Sequence, residues 1–163
     1  MDQTFSFTHT SESRVLIQRG AERRLPEIVS ALRPHSVVVV HDQQLSGVAA
    51  RVASSLRANT TLAVSGDDAT KSLQTAGELA ERLHAASATR ASVIIALGGG
   101  TVTDLVGFVA SVYLRGTAFV SCPTTTLAMC DAALGGKNGV DHCGLKNRIG
   151  TICLLYTSPS PRD

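Results

Sequence analysis

A chain of 163 residues that is 44% apolar and 17% charged can bury one sizeable core, which sets the expectation of a single globular domain. Its 15 basic and 13 acidic side chains are dispersed without a basic run, and only 4% of residues are aromatic, so nucleic acid is not an expected partner. No apolar stretch approaches the ~20 residues of a membrane helix, and residues 1–20 are too polar for a signal peptide, which predicts a cytoplasmic protein without a membrane partner.

In chain order, Phe5 to Thr8 and Val15 to Gln18 read as short strands, and Ala21 to Leu32 as a helix that stops before Pro34. Alternation then begins. Ser36 to Val40 is an apolar run of the kind a buried parallel strand uses, Leu45 to Leu56 an amphipathic helix, Thr61 to Val64 a strand, and Thr70 to Ala86 a longer helix. Val93 to Leu97 is the next strand, followed by a helix over Val102 to Val112, a strand near Ala118 to Val120, and a helix from Thr124 to Ala132 behind Pro123. Such alternation predicts an α/β fold, a Rossmann-like parallel sheet with flanking helices. The domain is expected to occupy residues 1–153. Residues 154–163 turn abruptly to Ser/Pro character and read as a non-native tail, with the true protein continuing past about Thr151.

Between Ala91 and Cys153 lie ten of the fourteen glycines and only seven charged residues, so polar chemistry there is individually placed. The Val93 to Leu97 strand passes directly into Gly98-Gly99-Gly100-Thr101-Val102-Thr103-Asp104. Three residues without Cβ let backbone approach a ligand closely, and a helix starting near Thr101 would aim free N–H groups at an anion. Thr103 occupies the last glycine position of G-x-G-x-x-G, so this is not the common dinucleotide fingerprint. Cys122, Cys130, Cys143 and Cys153 form no C-x-x-C pair and read as free thiols.

Five motifs in register carry a family resemblance: Gly98-Gly99-Gly100-x-x-x-Asp104; Tyr113-Leu114-Arg115-Gly116; Pro123 to Ala128 with Asp131; Gly135-Gly136-Lys137-x-Gly139-Val140; and Leu145-Lys146-Asn147-x-Ile149-Gly150. In order and spacing they resemble the 3-dehydroquinate synthase family. The resemblance implies an NAD-dependent, metal-requiring cyclase that converts 3-deoxy-D-arabino-heptulosonate 7-phosphate, a small sugar phosphate, to 3-dehydroquinate and phosphate in the shikimate pathway. It further implies a C-terminal helical metal-binding domain missing from this chain, zinc or cobalt bound through residues absent here, a possible homodimer of the complete enzyme, and binding without turnover by this chain alone.

By the same resemblance, Asp42, Gln44, Asp68, Lys71, Gly99, Gly100, Thr101, Asp104, Thr124, Thr125 and Leu127 contact the cofactor. Arg115, Asp131, Lys137, Lys146 and Asn147 contact substrate, with Lys137, Asp131 and Asn147 nearest the chemistry. The residue types suit their targets, since cations meet a carboxylate and a phosphate while Asp and Asn meet hydroxyls. Independently, Asp42 follows a strand where a nucleotide fold places an acid on a ribose. Gln44 stands where the family often has Asn. Asp68 serves equally well as a solvated acid at a helix start, and Thr124 and Thr125 as helix caps. His9, His35, His41, His84 and His142 read as surface or structural side chains, and no metal ligand is assigned. Rival functions are a related sugar-phosphate cyclase, a metal-dependent NAD polyol dehydrogenase, and a binding-only nucleotide module.

Overall fold

The computed structural model describes residues 13–134 and 136–152. Four parallel strands, β1 (Val37–Asp42), β2 (Thr60–Val64), β3 (Val93–Gly98) and β4 (Ala118–Pro123), form one sheet in the order β2-β1-β3-β4. Four helices accompany them: α1 (Leu25–Ala31), α2 (Ser46–Leu56), α3 (Leu73–Ala85) and α4 (Gly100–Val112). An antiparallel hairpin of β5 (Lys137–His142) and β6 (Leu145–Ile152) completes the described chain.

Period-two alternation places the sheet between two helical layers. Val37, Val39, Val93 and Ile95 pack with Val29 of α1 and with Ala53 and Leu56 of α2. Val38, Val40, Ile94 and Ala96 face the other way, against Leu79 and Leu83 of α3 and Val102, Leu105, Val106 and Val109 of α4. Both faces of β1 and β3 are therefore buried, and their sequences are continuous apolar runs for that reason.

Helix α4 is buried almost all round, from Val102 and Thr103 through Leu105 to Ala110. One side meets the sheet and the other meets β5. At Gly107 the hairpin comes so close that a Cβ would overlap the side chain of Asn138, which is itself 6% exposed. A hydrogen bond between the hydroxyls of Ser111 and Thr151, 2.7 Å, joins the helix to β6.

Several expected elements differ. Phe5 to Thr8 lies outside the described residues. Val15 to Gln18 is not a strand; Val15 is 57% and Ile17 82% exposed, and among the described residues no strand lies beside them to supply a ladder. The Ala21 to Leu32 helix is divided into a 3₁₀ turn, Ala21–Arg24, and α1, because Pro26 can occupy only the first turn of an α-helix. Thr70 to Ala86 is also divided. Asp68–Thr70 is a 3₁₀ turn, Lys71 is non-helical at φ −77°, ψ 69°, and Ser72 caps α3 by accepting the Thr75 N–H. The continuous helix expected over Thr124 to Ala132 is instead a short turn that widens to π geometry at Ala128–Ala132, where the Ala133 N–H reaches back to the Ala128 carbonyl. The hairpin has no counterpart among the expected elements.

Candidate functional site

The polar groups collect at the carboxyl edge of the sheet. From β1 the chain crosses to β2 on one side, while β3 flanks β1 on the other, so the strand order reverses between β1 and β3. A crevice opens at such a reversal in α/β sheets. Asp42 ends β1 and the glycine triplet ends β3, which makes the acid-bearing and glycine-bearing strands direct neighbours.

Within the triplet the three glycines do different things. A Cβ on Gly98 would overlap Val102, so this residue allows the helix to pack tightly on its strand. Gly99 precedes α4 in extended backbone, with the Thr125 side chain 3.2 Å from where a Cβ would sit, and Gly100 opens the helix. The Thr124 N–H donates to the Gly98 carbonyl, 2.9 Å, which brings the segment after β4 alongside the turn. Thr103 is buried and its hydroxyl donates back to the carbonyls of Gly99 and Gly100, 3.2 and 3.1 Å away. That bond explains a threonine where a dinucleotide fingerprint has glycine.

Asp42 is half-buried, and its Oδ1 accepts the Gln44 N–H at 2.9 Å while Gln44 itself is exposed. Gly66 lies so near the Asp42 carboxylate that any side chain there would displace it. Across the crevice, Lys71 Nζ donates to Asp104 Oδ2 at 2.9 Å and to Asn147 Oδ1 at 2.6 Å. Lys146 Nζ reaches Asp68 Oδ2 at 2.7 Å, and the Thr101 hydroxyl donates to Asp68 Oδ1 at 3.3 Å.

Electrostatics separate the two acids. Burial pushes the Asp104 carboxyl above its ordinary range, the hydrogen bond and charge of Lys71 pull against it, and the charges of Asp131 and Asp141 add to the rise. Its Oδ1 is buried and has no hydrogen-bond partner among the described residues. Asp68 is held below the usual carboxylate range by its hydrogen bond and ion pair with Lys146, with a further contribution from Thr101. Lys146 is correspondingly raised.

Lys71, Asp104 and Asn147 thus form one hydrogen-bonded group and Asp68, Thr101 and Lys146 a second, although the resemblance divides the members of each between cofactor and substrate. Thr124, Thr125 and Leu127 are exposed beside the glycine turn, and Asp131 is exposed in the π turn. Lys137 stands at the opposite end of the hairpin, pairing with Ile152, roughly 13 Å along the strand from Asp141. Arg115 lies beyond the far end of α4, about 18 Å of helix from Gly100, at the amino edge of the sheet. Asp141, Thr103 and Gly66 also shape the site and were not among the expected residues. Only the Thr103 substitution within the fingerprint spacing was a signal available in the sequence.

The sequence matches the 3-dehydroquinate synthase N-terminal family over residues 61–157. This chain belongs to the 3-dehydroquinate synthase family. It is 38% identical over 142 residues to 3-dehydroquinate synthase of Saccharolobus solfataricus, covering 87% of this chain and 39% of that protein. It is also 38% identical over 150 residues to 2-epi-valiolone synthase of Actinosynnema mirum, covering 89% and 39%. Among solved structures it resembles 2-deoxy-scyllo-inosose synthase complexed with carbaglucose-6-phosphate, NAD+ and Co2+, with a TM-score of 0.71 and 28% identity over 80% of this chain and 37% of that one. The chain therefore spans about two fifths of the length of the curated family members it matches.

Proposed function

We propose that this chain is the NAD-binding part of a 3-dehydroquinate synthase, a cytoplasmic shikimate-pathway enzyme forming 3-dehydroquinate and phosphate from 3-deoxy-D-arabino-heptulosonate 7-phosphate. The observation that carries the cofactor reading is the bare, buried Oδ1 of Asp104 one helical turn from Gly100. A buried acceptor without a donor costs free energy, and a ribose hydroxyl or carboxamide N–H of a bound nucleotide would satisfy it. The helix start at Gly100 favours phosphate, and Asp42 stands across the crevice to accept from a second ribose.

In this reading Gly99, Gly100 and Thr101 approach the pyrophosphate, while Asp42 and Gln44 hold the adenosine side. Thr124, Thr125 and Leu127 flank the turn, and Asp68, Lys71 and Asp104 hold the other ribose. When bound, NAD supplies reversible hydride transfer. Asn147 and Lys146 on the hairpin would orient the substrate, with Asp131 beside them, while Lys137 and Arg115 would supply cations for its anionic ends. Among the described residues no three His, Cys, Asp or Glu side chains converge in the arrangement of a metal site.

The equal identity to 2-epi-valiolone synthase supports a second reading, a related sugar-phosphate cyclase with the same cofactor half. Phosphate release from 3-deoxy-D-arabino-heptulosonate 7-phosphate by the full-length protein decides between the two. For the cofactor, calorimetric titration of this chain should show saturable NAD binding, with NADP weaker by about tenfold or more because Asp42 repels a 2′-phosphate. Absence of NAD binding, or tighter NADP binding, overturns the assignment.

A further inference from the structure

We propose that Asp141 is the positioning residue of this site, setting Asn147 and Lys71 by holding a bulge in the hairpin against the segment before α3. The proposal rests on the cofactor-site reading and deepens it. In the β5–β6 ladder, Val140 pairs with Ile149 and His142 with Leu145, so Asp141 alone stands opposite Lys146, Asn147 and Arg148. Two extra residues on one strand interrupt the ladder and swing their side chains out of the strand's alternation.

Asp141 repairs that interruption on both sides. Its Oδ1 accepts the Asn147 N–H at 2.7 Å, standing in for the carbonyl a regular ladder would have offered. This fixes Asn147 in left-handed backbone, φ 53°, a conformation that asparagine tolerates better than most residues. On its other side, the Asp141 N–H donates to the Lys71 carbonyl, also at 2.7 Å, and Asp141 forms a parallel bridge with Ser72. The Lys71 carbonyl is available because Lys71 falls in the break between the 3₁₀ turn and α3.

Both neighbours fixed by Asp141 then meet each other, since Lys71 Nζ donates to Asn147 Oδ1 and to Asp104 Oδ2. The bulge also presents Lys146 to Asp68. One side chain and its backbone amide thereby tie a loop, a helix start and a hairpin into a single arrangement. Asp141 is not itself one of the expected ligand positions; it acts through its hydrogen bonds to two of them, Asn147 and Lys71.

The test compares Asp141→Ala, which removes the acceptor, with Asp141→Asn, which keeps an acceptor oxygen and removes the charge. Two quantities are read on the 163-residue chain: hydrogen exchange of the Asn147 amide by NMR, and NAD affinity by calorimetry. Asp141→Ala should lose protection at Asn147 and weaken NAD by about tenfold, the scale of one hydrogen bond to a charged group. Amides of α4 should stay protected in it, and Asp141→Asn should restore most of both losses. Unchanged Asn147 exchange in Asp141→Ala overturns the proposal, as does lost protection with unaltered NAD affinity. Equal losses in both variants also overturn it, since they would assign the effect to charge. If the unmodified chain bound no NAD, the functional assignment would fall, while the Asn147 amide would still decide whether Asp141 sets the bulge. Should Asp141→Ala unfold, Asp141→Asn alone decides: retained Asn147 protection and NAD affinity support the acceptor role, and loss of either removes it.

Discussion

Lys71 and Asp104, 33 residues apart, form a 2.9 Å ion pair whose side chains are only 12% and 15% exposed. Solvent therefore screens it little, and the cost of desolvating both groups is offset by their mutual attraction and by the Asn147 carbonyl oxygen. Removing the cation alone leaves a buried carboxylate without compensation. Lys71→Met should lower stability by about 3 kcal/mol, read from urea unfolding, whereas adding Asp104→Asn should recover a large part of that loss. Additive losses would show that the two side chains do not depend on each other.

A pH dependence follows from the raised Asp104 carboxyl. With its folded value above the unfolded one of about 3.9, the folded state binds more protons across the interval, so this group's contribution to stability falls as pH rises through it. Asp68 has the opposite sign: its depressed carboxyl contributes stability above the unfolded value, which is lost as pH falls. Because Asp68 contributes a rise in the acid range, the Asp104 effect is read as a difference: the urea midpoint of the parent chain relative to Asp104→Asn should decline as pH rises above about 4. A variant with the same slope as the parent chain would assign the decline elsewhere.

Two glycines of α4 should respond differently to alanine. At Gly107 the new methyl overlaps Asn138, buried on the opposing strand, and about 1–3 kcal/mol of stability should be lost. At Gly100 a Cβ meets only Ala132 at 3.6 Å, an ordinary contact, so stability should change by no more than about 0.5 kcal/mol. NAD affinity should nonetheless fall in Gly100→Ala, because the methyl occupies the mouth of the turn. Calorimetry and urea unfolding on both variants separate the two effects; unaffected NAD binding in Gly100→Ala would move the phosphates away from this turn.

Thiol reactivity gives a check independent of ligands. Burial pushes the Cys122 thiol up to about 12, while Cys130 and Cys143 are exposed. Near pH 8, a disulfide reagent followed by peptide mass spectrometry should label Cys130 and Cys143 rapidly and Cys122 only on unfolding. Fast labelling at Cys122 would place β4 nearer solvent than its packing implies.

The sheet was legible because β1 and β3 are buried on both faces and so consist of apolar residues almost without interruption. Helix limits were less so: Pro26 and the Lys71 break act within otherwise periodic segments. The hairpin was hidden. Its turn is Cys143-Gly144, both at positive φ, and Lys137 to His142 lacks the apolar alternation of a half-buried strand because Asn138 packs against Gly107 of α4 while Gly139 lies against the backbone of β6. The motifs singled out charged candidates such as Lys71, Asp104 and Lys146, whose side chains make ion pairs in the fold, but not the side chains that set them. Asp141 acts through a bulge, and nothing in a linear spacing shows that one residue will stand opposite three.

Helix α4 is buried over most of its length, held by the sheet on one side and the hairpin on the other. The turn that begins it consequently sits on one of the least mobile parts of the molecule, with its N–H groups already aimed before any anion arrives. Ordering of the receptor then adds little to the entropy of association, and selectivity at that turn becomes a matter of fixed geometry, a rigid mould.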